Sequence, residues 1–354
     1  MPDTASAPTD SVDLDWPRSA PAPLSAARLR AAPEDFQVDE RLDIVPTGAG
    51  EHAWLRIRKR GLNTEDVAKQ LARIAGVKRV DVGYAGLKDR HAVTTQWFSV
   101  RLPGRADPDW PARLPPGAEL LDAARHARKL HSGAHTGNAF AIVLRDCSGD
   151  RDALAERILG IVRRGVPNYF GEQRFGHGGA NIARARALFA GREPVKDPKR
   201  RGLYLSAARA LLFNAILAER VRRGCWDRPL AGEVFILNGT RSFFAARPEE
   251  PDIAARLERG DIHPSGALWG AGEPPTADAV REIETGVAAT HADLARGLAA
   301  AGLKQERRAL RVLPARFTAE WLDATALGLR FTLPAGSYAT AVLRELAVYA
   351  ADRP

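Results

Sequence analysis

A carboxylate flanked by two cations stands in a short loop that could carry chemistry. Asp89 lies between Lys88 and Arg90 in the segment 83–92, GYAGLKDRHA. Neighbouring cations favour the ionised form of a carboxyl group, and an ionised carboxylate can act as a nucleophile or a base without a metal. The same residues are also typical of a salt-bridged surface turn. The loop alone leaves both interpretations open.

Regular elements on either side are expected to position this loop. Residues 80–84 and 93–101 have the patterns of strands that lead into the loop and out of it. A helix is predicted over 65–75, because apolar residues recur there with helical spacing and Gly76 can end it. The order of strand, helix and strand favours an α+β sheet with helices on one face.

One predicted strand carries side chains that would suit RNA. In residues 53–58, Trp54, Arg56 and Arg58 face the same way, and arginine both pairs with phosphate and stacks on bases. A solvated sheet face would show the same pattern. The basic segment 124–133, ARHARKLHSG, is a second candidate for RNA contact.

The composition is that of a globular protein with an excess of positive charge. The chain has 354 residues, enough for two domains, and 52 Lys and Arg against 43 Asp and Glu give a net charge of +9. The pI is near 9.9. This excess favours a polyanionic partner, nucleic acid before membrane, and no apolar run is long enough to span a bilayer.

The N-terminal segment and the cysteines indicate the compartment. Residues 1–25 are rich in Pro, Ala, Ser, Thr and Asp and lack the features of a signal peptide, so we predict a flexible tail there. Cys147 and Cys225 form neither a metal-ligand spacing nor a disulfide framework. We therefore expect a cytoplasmic protein.

Motifs of cofactor and metal enzymes are missing from the sequence. It contains no glycine-rich phosphate loop, no dinucleotide fingerprint and no G-x-S-x-G elbow. His126, His131 and His135 lie among cations that would repel a metal, and no helical i, i+4 pair with a third carboxylate ligand is evident among them. Neither a cofactor nor a metal is expected.

The remaining patterns outline a sheet domain with an insertion. Strands are predicted towards both ends of the chain, the last before the middle over 140–144 and the C-terminal one over 327–333, and the middle is largely helical. Further predicted elements are helices over 151–164, 203–223, 276–301 and 337–350 and a loop over 260–270. We therefore expect one sheet domain that is interrupted by residues 164–312.

Eight short segments together resemble one family, the TruD family of tRNA pseudouridine synthases. The segments, in family order, are 33–36, 83–92, 126–130, 137–140, 168–176, 203–209, 260–270 and 333–338. Each is short, and it is their number and order that carry the resemblance. It covers nearly the whole chain after the tail.

The resemblance implies an α+β fold. A pseudouridine-synthase-like domain, with a mixed and largely antiparallel sheet and helices, would comprise residues 26–163 and 313–354. An inserted α/β TRUD-type domain would comprise residues 164–312, after the flexible tail 1–25. The two lobes would form a cleft that grips tRNA, and nothing in the sequence demands more than a monomer.

The resemblance also implies an activity, the isomerisation of uridine 13 in the D-arm of tRNA to pseudouridine without a cofactor. Asp89 would be the catalytic residue. Lys88 and Arg90 would keep it anionic or grip the flanking phosphates. Whether Asp89 attacks uracil C6 or ribose C1′, and which group removes the C5 proton, is left open. Alternatives are a synthase acting on another RNA and a non-catalytic RNA-binding protein, although a pure binder has no need of a carboxylate facing phosphates.

Substrate-contacting positions of the family match Phe36, Asn138 and Phe331. Asn138 can read a uracil edge, because its amide offers a donor and an acceptor together. Phe140, two residues further on, is a candidate to pack beside the base. Core packing at strand positions is the alternative interpretation for the three phenylalanines.

Overall fold

The computed structural model describes residues 14–351, which form two compact units. The first, called the sheet unit, consists of residues 22–162, 314–339 and 346–351. The second, called the inserted unit, consists of residues 14–21, 163–313 and 340–345. The predicted insertion, 164–312, falls within the inserted unit, which also takes in two segments from outside it.

The sheet unit is built on one ten-stranded sheet with the order β14-β15-β7-β2-β5-β3-β6, in which β1 pairs with β7 and β16, and β4 pairs with β5. Its elements are β1 Leu24–Leu29, β2 Phe36–Arg41, β3 His52–Arg60, α1 Thr64–Ala75, β4 Val82–Tyr84, β5 Val93–Arg101, α2 Trp110–Arg113, β6 Ala118–His126, β7 Gly137–Gly149, α3 Arg151–Arg164, β14 Ala315–Trp321, β15 Leu327–Pro334 and β16 Ala347–Ala351. Only β1–β16 and β2–β5 are parallel among the described pairs of this sheet. The predicted mixed, largely antiparallel sheet domain is confirmed.

Alternating burial shows why the central strands form. In β15, Leu329, Phe331 and Leu333 are at most 2% exposed, while Arg330 between them is exposed. Phe331 lies opposite Phe140 of β7. Burying each such side chain contributes about 1.5–3 kcal/mol, and a shift of one residue would turn this whole set to the other face.

Helix α1 packs its apolar face on the sheet. Val67 and Leu71 are fully buried against Ile57 and Phe98. The helix ends at Gly76, whose φ of 61° is left-handed and therefore suits glycine. The helix predicted over 65–75 is thus present, one residue longer at its start.

The inserted unit combines helices with a four-stranded sheet of order β10-β9-β11-β12, in which every described pair is antiparallel. Its elements are β8 Val166–Pro167, α4 Ala180–Phe189, α5 Pro198–Arg222, β9 Val234–Leu237, β10 Phe243–Ala245, α6 Pro251–Arg259, β11 Ile262–Leu268, α7 Asp278–Thr290, α8 Ala292–Ala300, β12 Glu306–Ala309 and β13 Arg311–Val312. Residues 340–345 of helix α9, Ala339–Leu346, also belong to it. Among residues 14–351, no helix is both long enough and apolar enough to cross a membrane.

The prediction of a loop over 260–270 is wrong, because strand β11 occupies most of these residues. Pro264 and Gly266 read locally as turn residues, yet β11 is buried along nearly its whole length and pairs with β9 and β12. A side chain at Gly266 would come within 3.1 Å of the Phe213 ring, so glycine permits this packing. Tertiary pairing has overridden the local turn composition.

Two helices predicted near the C-terminal end also differ. The single helix over 276–301 is divided at His291, whose φ of −114° and ψ of 45° are not helical. The helix over 337–350 ends at Leu346, and residues 347–351 form β16 instead. The reason is that β16 has a partner, β1, from the other end of the chain.

The flexible tail predicted over 1–25 is too long. Residues 1–13 lie outside the described residues. Leu14 and Trp16 pack against the apolar core of the inserted unit, and Ser19 N–H donates to the carboxylate of Glu345 at 3.1 Å. In the sheet unit, Leu24 begins β1. The sequence conceals these contacts, because the partner of Ser19 is 326 positions away.

Candidate active site

The loop between β4 and β5, residues 85–92, is fixed by surrounding side chains. Gln96 Nε2 donates to the carbonyl oxygen of Gly86 at 3.0 Å. The Lys88 N–H donates to Thr64 Oγ1, also at 3.0 Å. A loop that is held at several points presents its own side chains in one geometry.

Lys59 supports the same loop from strand β3. Its side chain is fully buried, and its ammonium donates to the carbonyl oxygens of Leu62 at 2.7 Å and Asp89 at 2.8 Å. Burial lowers the pKa of Lys59 to about 8, because the charged form loses its hydration. The backbone of Asp89 is therefore tied to the sheet.

The carboxylate of Asp89 is paired with Arg30. Arg30 Nη2 lies 2.7 Å from Asp89 Oδ2, and the two side chains are 25% and 29% exposed. The Arg30 guanidinium also lies 4.1 Å from the centre of the Phe36 ring. Arg30 has a left-handed φ of 62°, which costs a non-glycine residue about 1–3 kcal/mol. The ion pair and the ring contact hold this guanidinium beside the carboxylate.

Lys88, the residue before Asp89, faces inward. Its side chain is 6% exposed, and Nζ lies 3.0 Å from Glu40 Oε1. The same Nζ donates to Asn138 Oδ1 at 2.7 Å. The expectation that Lys88 grips a phosphate is therefore corrected, because a buried ammonium that is already paired cannot reach one.

Arg90, on the other side of Asp89 in the sequence, is exposed, and its Nε donates to the carbonyl oxygen of Gly61 at 3.3 Å. The cation that pairs with Asp89 is Arg30 rather than Arg90, since neighbouring side chains in a loop point in different directions. Contact between Arg90 and a phosphate stays a prediction.

The three predicted phenylalanines lie together on one face of the sheet. The ring centres of Phe36 and Phe140 are 6.3 Å apart, and those of Phe140 and Phe331 are 5.4 Å apart. Phe317 stacks on Phe331 at 5.6 Å. All three predicted rings are buried, as core residues would be. What distinguishes this cluster from an ordinary core is the Arg30 guanidinium at Phe36.

Asn138 shares its face of β7 with Phe140, because the two are two positions apart in a strand. It lies opposite Glu40 of β2 and Leu333 of β15. The side chain is only partly buried. The structure therefore connects Asn138 to the loop 85–92 through Lys88, and to the phenylalanine cluster through the sheet.

Three residues of this site were missed by the sequence reasoning. Lys59 continues the alternation of Leu55 and Ile57, and Glu40 continues that of the β2 residues before it, so the period of two did place both on the buried face. Arg30 gave no such signal. It lies just past β1, and its partner Asp89 is 59 positions away.

The side chains of β3 that were expected to face RNA make contacts within the protein instead. Trp54 is 1% exposed, and its Nε1 donates to the carbonyl oxygen of Arg128 at 2.9 Å. Arg56 pairs with Asp39, and Arg58 is paired too, with Glu119 at 3.2 Å. Trp54 is therefore a core residue rather than a base-stacking one.

The three histidines considered as metal ligands do not form a site. His126 Nδ1 accepts a hydrogen bond from the Thr47 N–H at 3.3 Å. Burial, with the nearby Lys88 cation, lowers the pKa of His135. Within the described part of the chain, no group of three His, Cys, Asp or Glu side chains is placed to hold a metal ion.

Comparison with known proteins gives a consistent result. The family model described as tRNA pseudouridine synthase D (TruD) matches residues 22–184 and 195–346. The chain is 50% identical over 332 residues to the tRNA pseudouridine synthase D of Methylococcus capsulatus, covering 94% of each chain. It is 48% identical over 345 residues to the Xanthomonas euvesicatoria protein of the same name, covering 93% of this chain and 94% of that one.

A solved structure shares the fold. The crystal structure of a TruD protein from Methanosarcina mazei superposes with a TM-score of 0.69 and 20% identity, over 95% of this chain and 96% of that one. The family model covers well over half of the chain, and several relatives are more than 30% identical along nearly its whole length. The chain therefore belongs to the tRNA pseudouridine synthase D family.

Proposed function

We propose that this protein is a tRNA pseudouridine synthase that converts uridine 13 in the D-arm of tRNA to pseudouridine, with Asp89 as the nucleophile. One observation carries the proposal. The Asp89 carboxylate is held by Arg30 beside the Phe36 ring, in a chain that belongs to the TruD family.

The reaction requires little besides a positioned carboxylate, because substrate and product are isomers. The N1–C1′ glycosidic bond of uridine breaks, the base turns, and a bond between C5 and C1′ forms. The proton on C5 is released and N1 takes one up. Asp89 can attack uracil C6 or ribose C1′, and on either route its carboxylate is regenerated at the end.

The proposed roles of the other residues follow from what base flipping costs. Extruding the target base from folded tRNA costs a few kcal/mol, and stacking on an aromatic side chain offsets about 1–3 kcal/mol of it. Phe36, Phe140 and Phe331 are the candidates for this contact. The net charge of +9 favours the approach of a polyanion.

The test is to incubate the purified protein with an unmodified tRNA transcript and to map pseudouridine by carbodiimide labelling and primer extension. A stop one nucleotide on the 3′ side of position 13 is expected, and a transcript with cytidine at position 13 should show none. Modification at a different uridine, or only in another RNA, would contradict the assignment of position 13. Tight tRNA binding without any modification would indicate a non-catalytic RNA-binding protein.

Compartment and oligomeric state are part of the proposal. We expect a cytoplasmic monomer, and the two described cysteines, Cys147 and Cys225, are both buried and free. Sedimentation of the purified protein should give the mass of one chain, and fractionation of cells should recover it with cytoplasmic markers.

A further inference from the structure

The amide of Asn138 has one end already engaged. Lys88 Nζ lies 2.7 Å from Asn138 Oδ1. An ammonium group has only hydrogens to donate and no acceptor, so the amide must turn its oxygen toward Lys88. Within residues 14–351, no protein atom hydrogen-bonds to Asn138 Nδ2. The group that Asn138 has left to offer is therefore a donor alone, not the donor and acceptor pair expected from the sequence.

Lys88 is itself held in place by Glu40. Its Nζ lies 3.0 Å from Glu40 Oε1, and the two side chains are 6% and 0% exposed. That contact is an ion pair without hydrogen-bond alignment, while Glu40 Oε2 accepts from the Trp97 N–H at 3.2 Å. If Lys88 swung away, it would leave a buried carboxylate without its counter-charge. The ammonium, and with it the Asn138 oxygen, is therefore fixed.

We propose that Glu40 and Lys88 set the polarity of Asn138, so that the site accepts a pyrimidine with a carbonyl oxygen at C4 and rejects one with an amino group there. Uracil offers an acceptor at this position and cytosine a donor. The Asn138 N–H would pair with the first and oppose the second. Lys88 and Glu40 are on this account positioning residues, and the inference rests on the proposed function.

The discrimination should be measurable as a ratio of affinities. A polar group that is left unpaired in a binding site lowers affinity by roughly 10- to 100-fold. Two tRNA transcripts that differ only by uridine or cytidine at the target position provide the ratio, and an Asp89→Asn background prevents turnover. We expect the Asp89→Asn protein to bind the uridine transcript roughly 10- to 100-fold more tightly than the cytidine transcript.

Two variants test the relay of contacts Glu40–Lys88–Asn138 from opposite directions. Lys88→Met frees the amide to rotate, so the ratio should fall to within about threefold of unity. Asn138→Asp keeps one oxygen on Lys88 and presents the other as an acceptor, so the preference should invert in favour of cytidine. The second variant retains a partner for Lys88 and keeps the test decisive should Lys88→Met not fold.

The matched control is Lys69→Met, which removes the same charge from an exposed lysine whose partner is Asp66 at 3.8 Å. It should leave the ratio unchanged. An unaltered ratio in Lys88→Met, or a preference for uridine in Asn138→Asp, overturns the inference. So does a wild-type ratio of one, which an amide bound to O2 of the base would give, because both pyrimidines carry that oxygen.

A separate readout distinguishes failure of the proposed function. The wild-type protein is first tested for pseudouridine formation on the uridine transcript. If pseudouridine forms and the ratios do not respond to the variants, the relay alone is wrong. If none forms on any tRNA uridine, the proposed function fails, and the inference that rests on it falls too.

Discussion

Two networks of buried charge, one in each unit, differ in how completely their hydrogen-bonding groups are used. In the inserted unit, Arg307 Nη1 lies 2.8 Å from Glu284 Oε1, and the side chains are 1% and 0% exposed. Arg307 Nε donates to Ser265 Oγ. The Glu284 carboxylate also accepts from the Ala267 N–H and from Thr276 Oγ1, each at 3.0 Å. This network is closed.

The corresponding network in the sheet unit is open. Lys88 and Glu40 are as deeply buried, but Glu40 Oε1 has no aligned hydrogen bond, and neither has the buried His135 Nδ1. Asn138 ends the chain of contacts with an unused donor, and the Asp89 carboxylate is 29% exposed. Buried polar groups are normally paired. The unused capacity lies where the substrate is proposed to bind.

Burial of a charge does not by itself mark a functional site. A closed network stabilises one fold or fixes its geometry, and replacing one member leaves a buried charge alone. An open network keeps groups available for a ligand. Substitutions in the closed network should therefore lower stability alone, whereas substitutions in the open network should also change activity.

The largest effect is expected for Asp89→Asn. Asparagine keeps an oxygen that can accept from Arg30, but it cannot act as a nucleophile, so turnover should fall at least roughly 10³-fold, or about 4 kcal/mol. The free energy of unfolding should change by less than about 1 kcal/mol, because the side chain is partly exposed. Single-turnover kinetics and urea unfolding measure the two quantities. More than a few per cent of residual activity would exclude Asp89 as the nucleophile.

Next comes Arg307→Met in the closed network. It leaves the Glu284 carboxylate buried without its cation, and the free energy of unfolding should fall by about 3–5 kcal/mol. Turnover per folded molecule should be unchanged. The control is Arg184→Met, which breaks an exposed pair with Glu193 and should cost about 0–1 kcal/mol. Equal losses in the two variants would show that the closed network contributes no special stability.

A smaller effect is expected for Arg30, which pairs with the proposed nucleophile Asp89. Arg30→Met should lower kcat roughly 10²-fold with little change in KM, since a misplaced reacting group costs about that much. Arg30→Lys restores one cation and should recover part of the loss. Arg28→Met, which removes an exposed partner of Asp146 two positions before Arg30 in the chain, should stay within about twofold of wild type. A similar loss for Arg28→Met would mean that general charge, not orientation, is responsible.

Local periodicity carried much of the fold prediction. Strand β5 and helix α3 have the predicted bounds, because their patterns depend only on near neighbours. Strand β11 was missed, since the strands beside it decide its conformation. Strand β16 was read as helix for the same reason, as its partner β1 comes from the other end of the chain.

The sequence named candidate residues for the site but not the contacts between them. Resemblance named Asp89 and Asn138, while Glu40 was missed although it continues the alternation of β2. The partners could not be foreseen. Lys88 and Asn138 are 50 positions apart, and the residue next to a carboxylate in sequence need not be its partner in space. The polarity of the Asn138 amide follows only from that contact.

The smallest effects concern pH, and they fall in a different pH range for each unit. Burial lowers the pKa of His263 in the inserted unit to about 4 and that of Lys59 in the sheet unit to about 8. The unfolded chain therefore binds more protons between pH 4 and about 6.5 through the histidine. It does so between pH 8 and about 10.4 through the lysine. In both windows the free energy of unfolding rises with pH, by up to about 1.4 kcal/mol per unit.

Two variants isolate these contributions from the other titrating groups. The difference in unfolding free energy between wild type and His263→Gln should change between pH 4 and about 6.5 and be flat at higher pH. For Lys59→Met the difference should be flat up to pH 8 and then move in favour of wild type up to about pH 10. Urea unfolding at half-unit steps measures both. A Lys59→Met difference that stays constant above pH 8 would mean that the loop carbonyls hold Lys59 charged, and that its support of Asp89 does not weaken in alkali.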